Sequence, residues 1–205
     1  AHGFVRARPW RVTGSAATKN RARLVLAFDA LACEADWPGR ALAEIDITLA
    51  DTLTVTLSTE NRGGESLEIT QALHTYLAVG DIGMVTIEGF QDRSYIDQLN
   101  PGPLRRETAL VGITSEIDRI YQDCDGPVAV TDKAAARQIR ISKTGSRLTV
   151  LWNPGLDKCA RLGDMGTDGY RHMVCVEAAN AGNDKVTLAP GERHRLTTEL
   201  SVTKF

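Results

Sequence analysis

A chain of 205 residues with 42% hydrophobic and 24% charged residues sits in the globular range and is long enough to bury one sizeable core. Its net charge of −2 supplies no overall basic field for nucleic acid or anionic lipid. No apolar run reaches the length of a membrane span, and the charged N-terminus lacks a signal-peptide core.

Four cysteines, at 33, 124, 159 and 175, show neither C-x-x-C nor a metal-type spacing to histidine. They read as reduced, mostly buried thiols of a cytoplasmic protein. The N-terminal arginines (Arg6, Arg8, Arg11, Arg21, Arg23) read as solvated strand edges and turns, with Arg6 set apart below. The chain begins on Ala1-His2-Gly3-Phe4 without an initiator methionine and reads as a fragment of a longer protein.

Period-two alternation dominates, with no sustained helical stripe. Residues 21–28 set Ala22, Leu24, Leu26 and Phe28 against Arg21 and Arg23. Residues 41–49 alternate Ala43, Ile45, Ile47 and Leu49 with Glu44, Asp46 and Thr48, and residues 52–58 set Leu53, Val55 and Leu57 against threonines. Asn61-Arg62-Gly63-Gly64 then predicts a hairpin turn, its glycines available for positive φ. Further strands are expected over 66–77, 83–89, 109–114, 127–131, 137–142, 147–152, 171–178 and 195–203, with one helical turn at 134–136. Turns rich in Gly, Asn, Asp and Pro separate them. A dozen short strands without repeat or linker predict one all-β domain over 1–205, a sandwich of antiparallel sheets.

On the expected strand 66–77, Leu67, Ile69, Leu73 and Leu77 share one face, while His74 lies on the other with Glu68, Thr70, Ala72 and Tyr76. His74 is thus either a hydrogen-bonded structural histidine or an acid–base group near neutrality. Glu177 closes the apolar stretch His172-Met173-Val174-Cys175-Val176. It either marks the strand's exit into solvent or is a base whose pKa an apolar surround has raised. Asp118, in Glu116-Ile117-Asp118-Arg119-Ile120-Tyr121, is either half of a surface pair with Arg119 or an acceptor for sugar hydroxyls. Trp152 shares parity with Leu148 and Val150, which favours core packing over a sugar platform. The turn aspartates Asp92, Asp97, Asp132 and Asp164 receive no role.

Six segments in order carry a resemblance: His2-Gly3-Phe4-Val5-Arg6, Leu73-His74-Thr75-Tyr76, Glu116-Ile117-Asp118-Arg119-Ile120-Tyr121, Trp152-Asn153-Pro154, Cys175-Val176-Glu177 and Leu188-Ala189-Pro190-Gly191. The chain resembles the hexose-phosphate mutarotases, the glucose-6-phosphate 1-epimerase branch of the aldose 1-epimerase family. That resemblance implies a galactose-mutarotase-like β-supersandwich, and an isomerase that interconverts the anomers of an aldohexose 6-phosphate as a monomer, without cofactor or metal. It implies Glu177 as general base, His74 as general acid, Asp118 on sugar hydroxyls, Arg6 on the phosphate and His2 at the same mouth. Departures are Val5 for alanine, Ala1 for a glutamine, Leu77 for phenylalanine, and Gly155 for tryptophan, the last two expected to loosen the sugar pocket. The family also carries a section before the H-G-F segment, with a further phosphate-binding arginine, that this sequence does not contain. Two alternatives remain: a mutarotase of unphosphorylated aldoses, and a non-catalytic sugar-binding β-sandwich.

Overall fold

The computed structural model describes residues 2–30, 37 and 39–205. Its first strands are β1 (Arg11–Thr18), β2 (Arg21–Ala30), β3 (Ala41–Leu49), β4 (Leu53–Asn61), β5 (Leu67–Ile69), β6 (Gln71–Leu73), β7 (Tyr76–Ala78) and β8 (Val85–Glu88). There follow β9 (Ser94–Asp97), β10 (Arg105–Arg106), β11 (Ile117–Tyr121), β12 (Val128–Asp132), β13 (Arg137–Thr144) and β14 (Leu148–Asn153). After the short helix α1 (Gly155–Cys159) come β15 (Met173–Asn180), β16 (Val186–Leu188) and β17 (Arg193–Lys204). No helix among the described residues is long and apolar enough to cross a membrane.

Every strand pairing is antiparallel. One sheet has eight strands in the order β1-β2-β3-β4-β17-β13-β12-β8. The second has seven, β10-β9-β11-β14-β15-β6, with β7 also on β15; β5 and β16 form a separate ribbon. Alternation builds the first sheet. Leu24 opposes Ile47, which opposes Val55, and Leu26 opposes Ile45, which opposes Leu57, so one face is a continuous apolar ladder. On the other face Arg23 meets Asp46 at 2.6 Å, near solvent.

The main core lies between the sheets. Val85 and Ile87 (β8), Val128 and Val130 (β12), and Ile139 and Ile141 (β13) pack with Ile117, Tyr121, Leu151, Val174, Val176 and Leu77 of the second sheet. The odd-numbered residues of β11 and β14 and the even-numbered ones of β15 are thereby committed to the core. Their alternating neighbours, Asp118, Trp152, Cys175 and Glu177 among them, must face away from it on the outer face of the second sheet.

Several expectations change. The strand predicted over 66–77 is three short pieces, because β5 pairs with β16 while β6 and β7 pair with β15. The stretch 109–114 contributes only a bridge between Val111 and Ile87. Asn61 to Gly64 is no hairpin turn: β4 and β5 belong to different sheets, and neither Gly63 nor Gly64 has positive φ. Asn61 organises that corner, its amide donating to the Glu65 and Leu188 carbonyls and its Oδ1 accepting from Gly63 N–H. Ala134 to Ala136 is the turn of the β12–β13 hairpin rather than a helical turn. β1, β9, β10 and β16 arise where no strand is expected: β1 and β10 are almost wholly exposed, and β9 and β16 are short pieces with one buried residue each, Tyr95 and Leu188. Cys124, Cys159 and Cys175 are free and buried, and Cys33 and Ala1 lie outside the described residues.

Candidate active site

Register brings the site together. β6 pairs Leu73 with Ala178 and β7 pairs Tyr76 with Cys175, so His74 and Thr75 fall opposite Glu177 and Val176 in unbroken antiparallel register. The Thr75 carbonyl accepts from Val176 N–H across that gap. Next, β14 sets Val150 beside Glu177 and Trp152 beside Cys175, and β11 sets Asp118 beside Trp152. Two adjacent rungs therefore share the outer face: Tyr76, Cys175, Trp152 and Asp118 in one, His74, Glu177, Val150 and Ile120 in the other.

His74 Nε2 stands 3.3 Å from Glu177 Oε1, and the Glu177 side chain is only 7% exposed. Glu177 lies mid-strand in β15, where every position is buried, so it is no strand exit. Burial, with Asp118 adding like charge, pushes its pKa up to about 8. Burial also lowers the pKa of His74, helped by the charge of His2. Asp118 is raised, again chiefly by burial, while Lys158 opposes the shift. The site thus holds carboxyls inclined to keep their protons and an imidazole inclined to lose its own.

Ring contacts hold His74. Tyr76 stacks on it at 4.7 Å and 17°, and Trp152 and His2 present edges at 5.9 and 5.6 Å. His74 Nδ1 is buried and has no hydrogen-bond partner among the described residues. Nε2, facing Glu177, is then the nitrogen available for proton transfer.

Aromatic packing also delivers the N-terminal segment. Phe4 packs on Phe28 and Trp37, Trp10 packs on Phe28, and Trp10 Nε1 donates to the Val5 carbonyl at 3.0 Å. This anchors the 3-10 turn Val5–Ala7 to Phe28 of β2 and to Trp37. His2 reaches His74, and the charge of the exposed Arg6 is felt at His2, His74 and Tyr76.

His74, Glu177 and Asp118 therefore belong to one face, which His2 of the N-terminal segment reaches through His74; Arg6 is exposed on that same segment. Asp118 does not pair with Arg119, which points to the opposite side, bonds Glu107 at 2.8 Å and lies over the Tyr95 ring at 4.6 Å. Trp152 corrects the core reading: its register partners are Asp118 and Cys175, and its ring edge meets Tyr76 at 6.2 Å as well as His74. The parity with Val150 holds, but Val150 itself faces the site.

Lys158 went unnoticed in the sequence. Asn153 is fully buried, donating to the Tyr170 and Met173 carbonyls and accepting from Gly155 N–H, all at 2.8 Å. That clamp turns the chain into α1, which returns Lys158 over Trp152 at 5.7 Å and onto Glu116 at 2.9 Å. The usable signal was its position six residues beyond Trp152, one short turn after Pro154. Gly155 is held by its backbone. Its φ is +62°, and a Cβ there would stand 2.6 Å from Glu116 N, so larger residues are refused by backbone. Gly155→Ala is expected to lower stability by about 2 kcal/mol in urea unfolding, from positive φ plus that clash.

A polar cavity of about 280 Å³ opens beside Asp118, lined by Asp97, Asn100, Arg105, Thr114 and Ser115 among others. The His74–Glu177 pair lies outside that cavity, and Asp118 stands between the two.

The architecture is thus an antiparallel β-sandwich with a buried carboxylate against an imidazole, on a sheet face rimmed by aromatic and cationic groups. The chain belongs to the aldose 1-epimerase family, whose model matches residues 1–201. It is 30% identical to a protein of Cenchrus ciliaris named "Putative glucose-6-phosphate 1-epimerase", over 98% of this chain and 64% of that one. A protein of the same name from Escherichia coli is 35% identical, over 91% of this chain and 63% of that one. The chain thus spans a little under two-thirds of these relatives' length. A crystal structure described as a "putative mutarotase" from Salmonella typhimurium superposes with a TM-score of 0.90 at 27% identity, covering 99% of this chain and 68% of that one. A galactose mutarotase-like protein of Clostridium acetobutylicum, at 15% identity and a TM-score of 0.78, shares the fold.

Proposed function

We propose that this chain carries the catalytic face of a hexose-6-phosphate 1-epimerase, an isomerase that interconverts the α and β anomers of its sugar. The observation that carries the reading is the 3.3 Å approach of His74 Nε2 to Glu177 Oε1 on the outer face of the second sheet. The C1 hydroxyl oxygen and the ring oxygen of an aldose are bonded to the same carbon. A base for one and an acid for the other must therefore converge within a few ångströms, as this pair does.

In the forward direction the Glu177 carboxylate takes the proton of the C1 hydroxyl. The C1–O bond becomes a carbonyl as the bond from C1 to the ring oxygen breaks, and that oxygen takes the proton from His74 Nε2. Rotation about C1–C2 presents the other carbonyl face, and closure returns both protons. No proton is gained or lost, so the pair must hold one proton at the start and the end. Glu177, raised by burial, and His74, lowered by it, are biased toward the intermediate arrangement, protonated acid beside neutral imidazole. This narrows the gap to the ring-opened state, the direction in which an acid–base catalyst gains.

Asp118, beside Trp152 in register, serves the sugar hydroxyls, and the Tyr76–Trp152 pair offers apolar ring faces to the pyranose. Arg6, with His2, supplies cationic charge at the mouth for the phosphate; a permanently charged, forked guanidinium suits that group. The names of the relatives support the same sugar phosphate.

Anomer exchange of glucose-6-phosphate, followed by NMR magnetisation transfer, tests the reading, with glucose as comparison. Acceleration of the phosphorylated sugar is the expected result. Acceleration of glucose alone would favour an unphosphorylated substrate, and none of either would leave a binding module. Arg6→Ala is expected to raise KM for glucose-6-phosphate roughly 10-fold or more, the worth of one charge-assisted hydrogen bond, with little change for glucose.

A further inference from the structure

The mechanism leaves Cys175 without a task, yet its thiol shares the outer face with the catalytic pair. It precedes Glu177 by two residues on β15, and His74 lies directly across from Glu177. The ligating atoms of His74, Cys175 and Glu177 all lie within 4.8 Å of one another, the one such His/Cys/Asp/Glu group among the described residues. We infer that these three side chains form a latent site for one thiophilic divalent cation of the Zn²⁺ type, whose occupancy shuts the sugar site.

The geometry supports it in three ways. Tetrahedral zinc with bonds of ~2.0–2.3 Å separates neighbouring ligand atoms by roughly 3.3–3.8 Å. His74 Nε2 and Glu177 Oε1 are already 3.3 Å apart, so closing the triangle asks only for small side-chain rotations toward the Cys175 thiol. The donor set is also chemically apt: thiolate, imidazole and carboxylate are the three zinc ligands, and three protein ligands leave a fourth position for water. Charge balances as well. The ion displaces the thiol and carboxyl protons to solvent, and the dication with one thiolate, one carboxylate and a neutral imidazole carries no net charge. Burial of the group is then tolerable where two anions alone would not be. Cys175 is fully buried and Glu177 nearly so, while a quarter of the His74 side chain remains exposed as the way in. Because the ion would occupy both the acid and the base, metal and sugar exclude one another.

Cobalt(II) added to metal-free protein tests this without reference to activity. A thiolate-to-cobalt charge-transfer band saturating at one ion per chain is expected. The band should vanish in Cys175→Ser, weaken at least 10-fold in affinity in His74→Gln, and disappear on adding Zn²⁺. Should Cys175→Ser not fold, X-ray absorption of the zinc-loaded wild type decides: one sulfur at ~2.3 Å supports the site, and a shell of nitrogen and oxygen alone overturns it. Absence of the band in wild type, or its persistence in folded Cys175→Ser, also overturns it. Zn²⁺ should then slow anomer exchange in competition with glucose-6-phosphate. Cobalt binding by a protein that exchanges no anomers would refute the proposed function and leave the metal site standing. Exchange without a cobalt band would do the reverse.

Discussion

Glu177→Gln is expected to lower kcat for anomer exchange by roughly 10²–10⁴-fold while leaving sugar-phosphate binding largely intact. Glutamine keeps the size and one hydrogen-bonding oxygen of the side chain but cannot take the C1 hydroxyl proton. The same substitution is expected to stabilise the protein in alkali. The folded-state pKa of Glu177 is about 8, against 4.5 for the free group. Between those values the folded chain holds a proton that the unfolded chain has lost, so this group's contribution to stability falls as pH rises through that window and levels off above it. The variant escapes that loss. It should match wild type below about pH 4.5 and exceed it by a few kcal/mol at about pH 9, since each tenfold difference in proton affinity between the two states is worth ~1.4 kcal/mol. Urea unfolding at both pH values, beside NMR exchange rates, measures the two effects. Inactivity with greater alkaline stability is a signature of a carboxylate kept buried for function. Full activity in the variant would sink the base assignment.

His74→Gln should cost a comparable factor, and the double variant His74→Gln/Glu177→Gln should be little worse than either alone, because the two groups act on one proton cycle. The pH profile follows from the same count. Catalysis needs one proton on the pair. Above about 8, the value to which Glu177 is raised, that proton is lost and nothing remains to protonate the ring oxygen. Below the pKa of His74, which lies under its ordinary 6.5, a second proton arrives and no base remains. The profile of kcat/KM should be bell-shaped, with both limbs belonging to the coupled pair rather than to either residue. An acid limb centred above 6.5 would contradict the lowered imidazole.

Lys158 offers a smaller effect. Its ammonium covers Trp152 and pairs with Glu116, and its charge opposes protonation of Asp118. Lys158→Met keeps the stem and removes the charge. It is expected to raise KM several-fold with little change in kcat, by loosening Trp152 and weakening the ionised form of Asp118.

The legible part of this molecule was the part written in short range. Alternation in 21–28 and 41–49 announced β2 and β3, and parity alone put His74 opposite Leu73 and Leu77. The six motif segments carried the family and its fold. Misreadings fell where a residue's surroundings come from another strand. Trp152 looked like core because Val150 is apolar, but on the adjacent rung apolar Val150 and Ile120 themselves share the face of His74 and Glu177. The need for a glycine at 155 was not legible because the Glu116 backbone that crowds it lies far away in sequence. Glu177 stayed open between a strand exit and a buried base because nothing local reveals that β15 runs on to Asn180 and is buried throughout.

By itself the sequence determined the strand-forming alternation, the candidate residues His74, Glu177, Asp118 and Arg6, and the family motifs that single them out. These depend on side-chain period and residue type, both local properties. Only the tertiary structure decided that β6 and β7 continue one register along β15, which sets His74 against Glu177 and aligns Asp118 and Trp152 beside them. It also decided that burial moves the two pKa values, that α1 folds Lys158 back, and that Cys175 completes a ligand triangle. Pairing register and desolvation arise between segments distant in the chain, and pattern within any one of them carries no record of its partner.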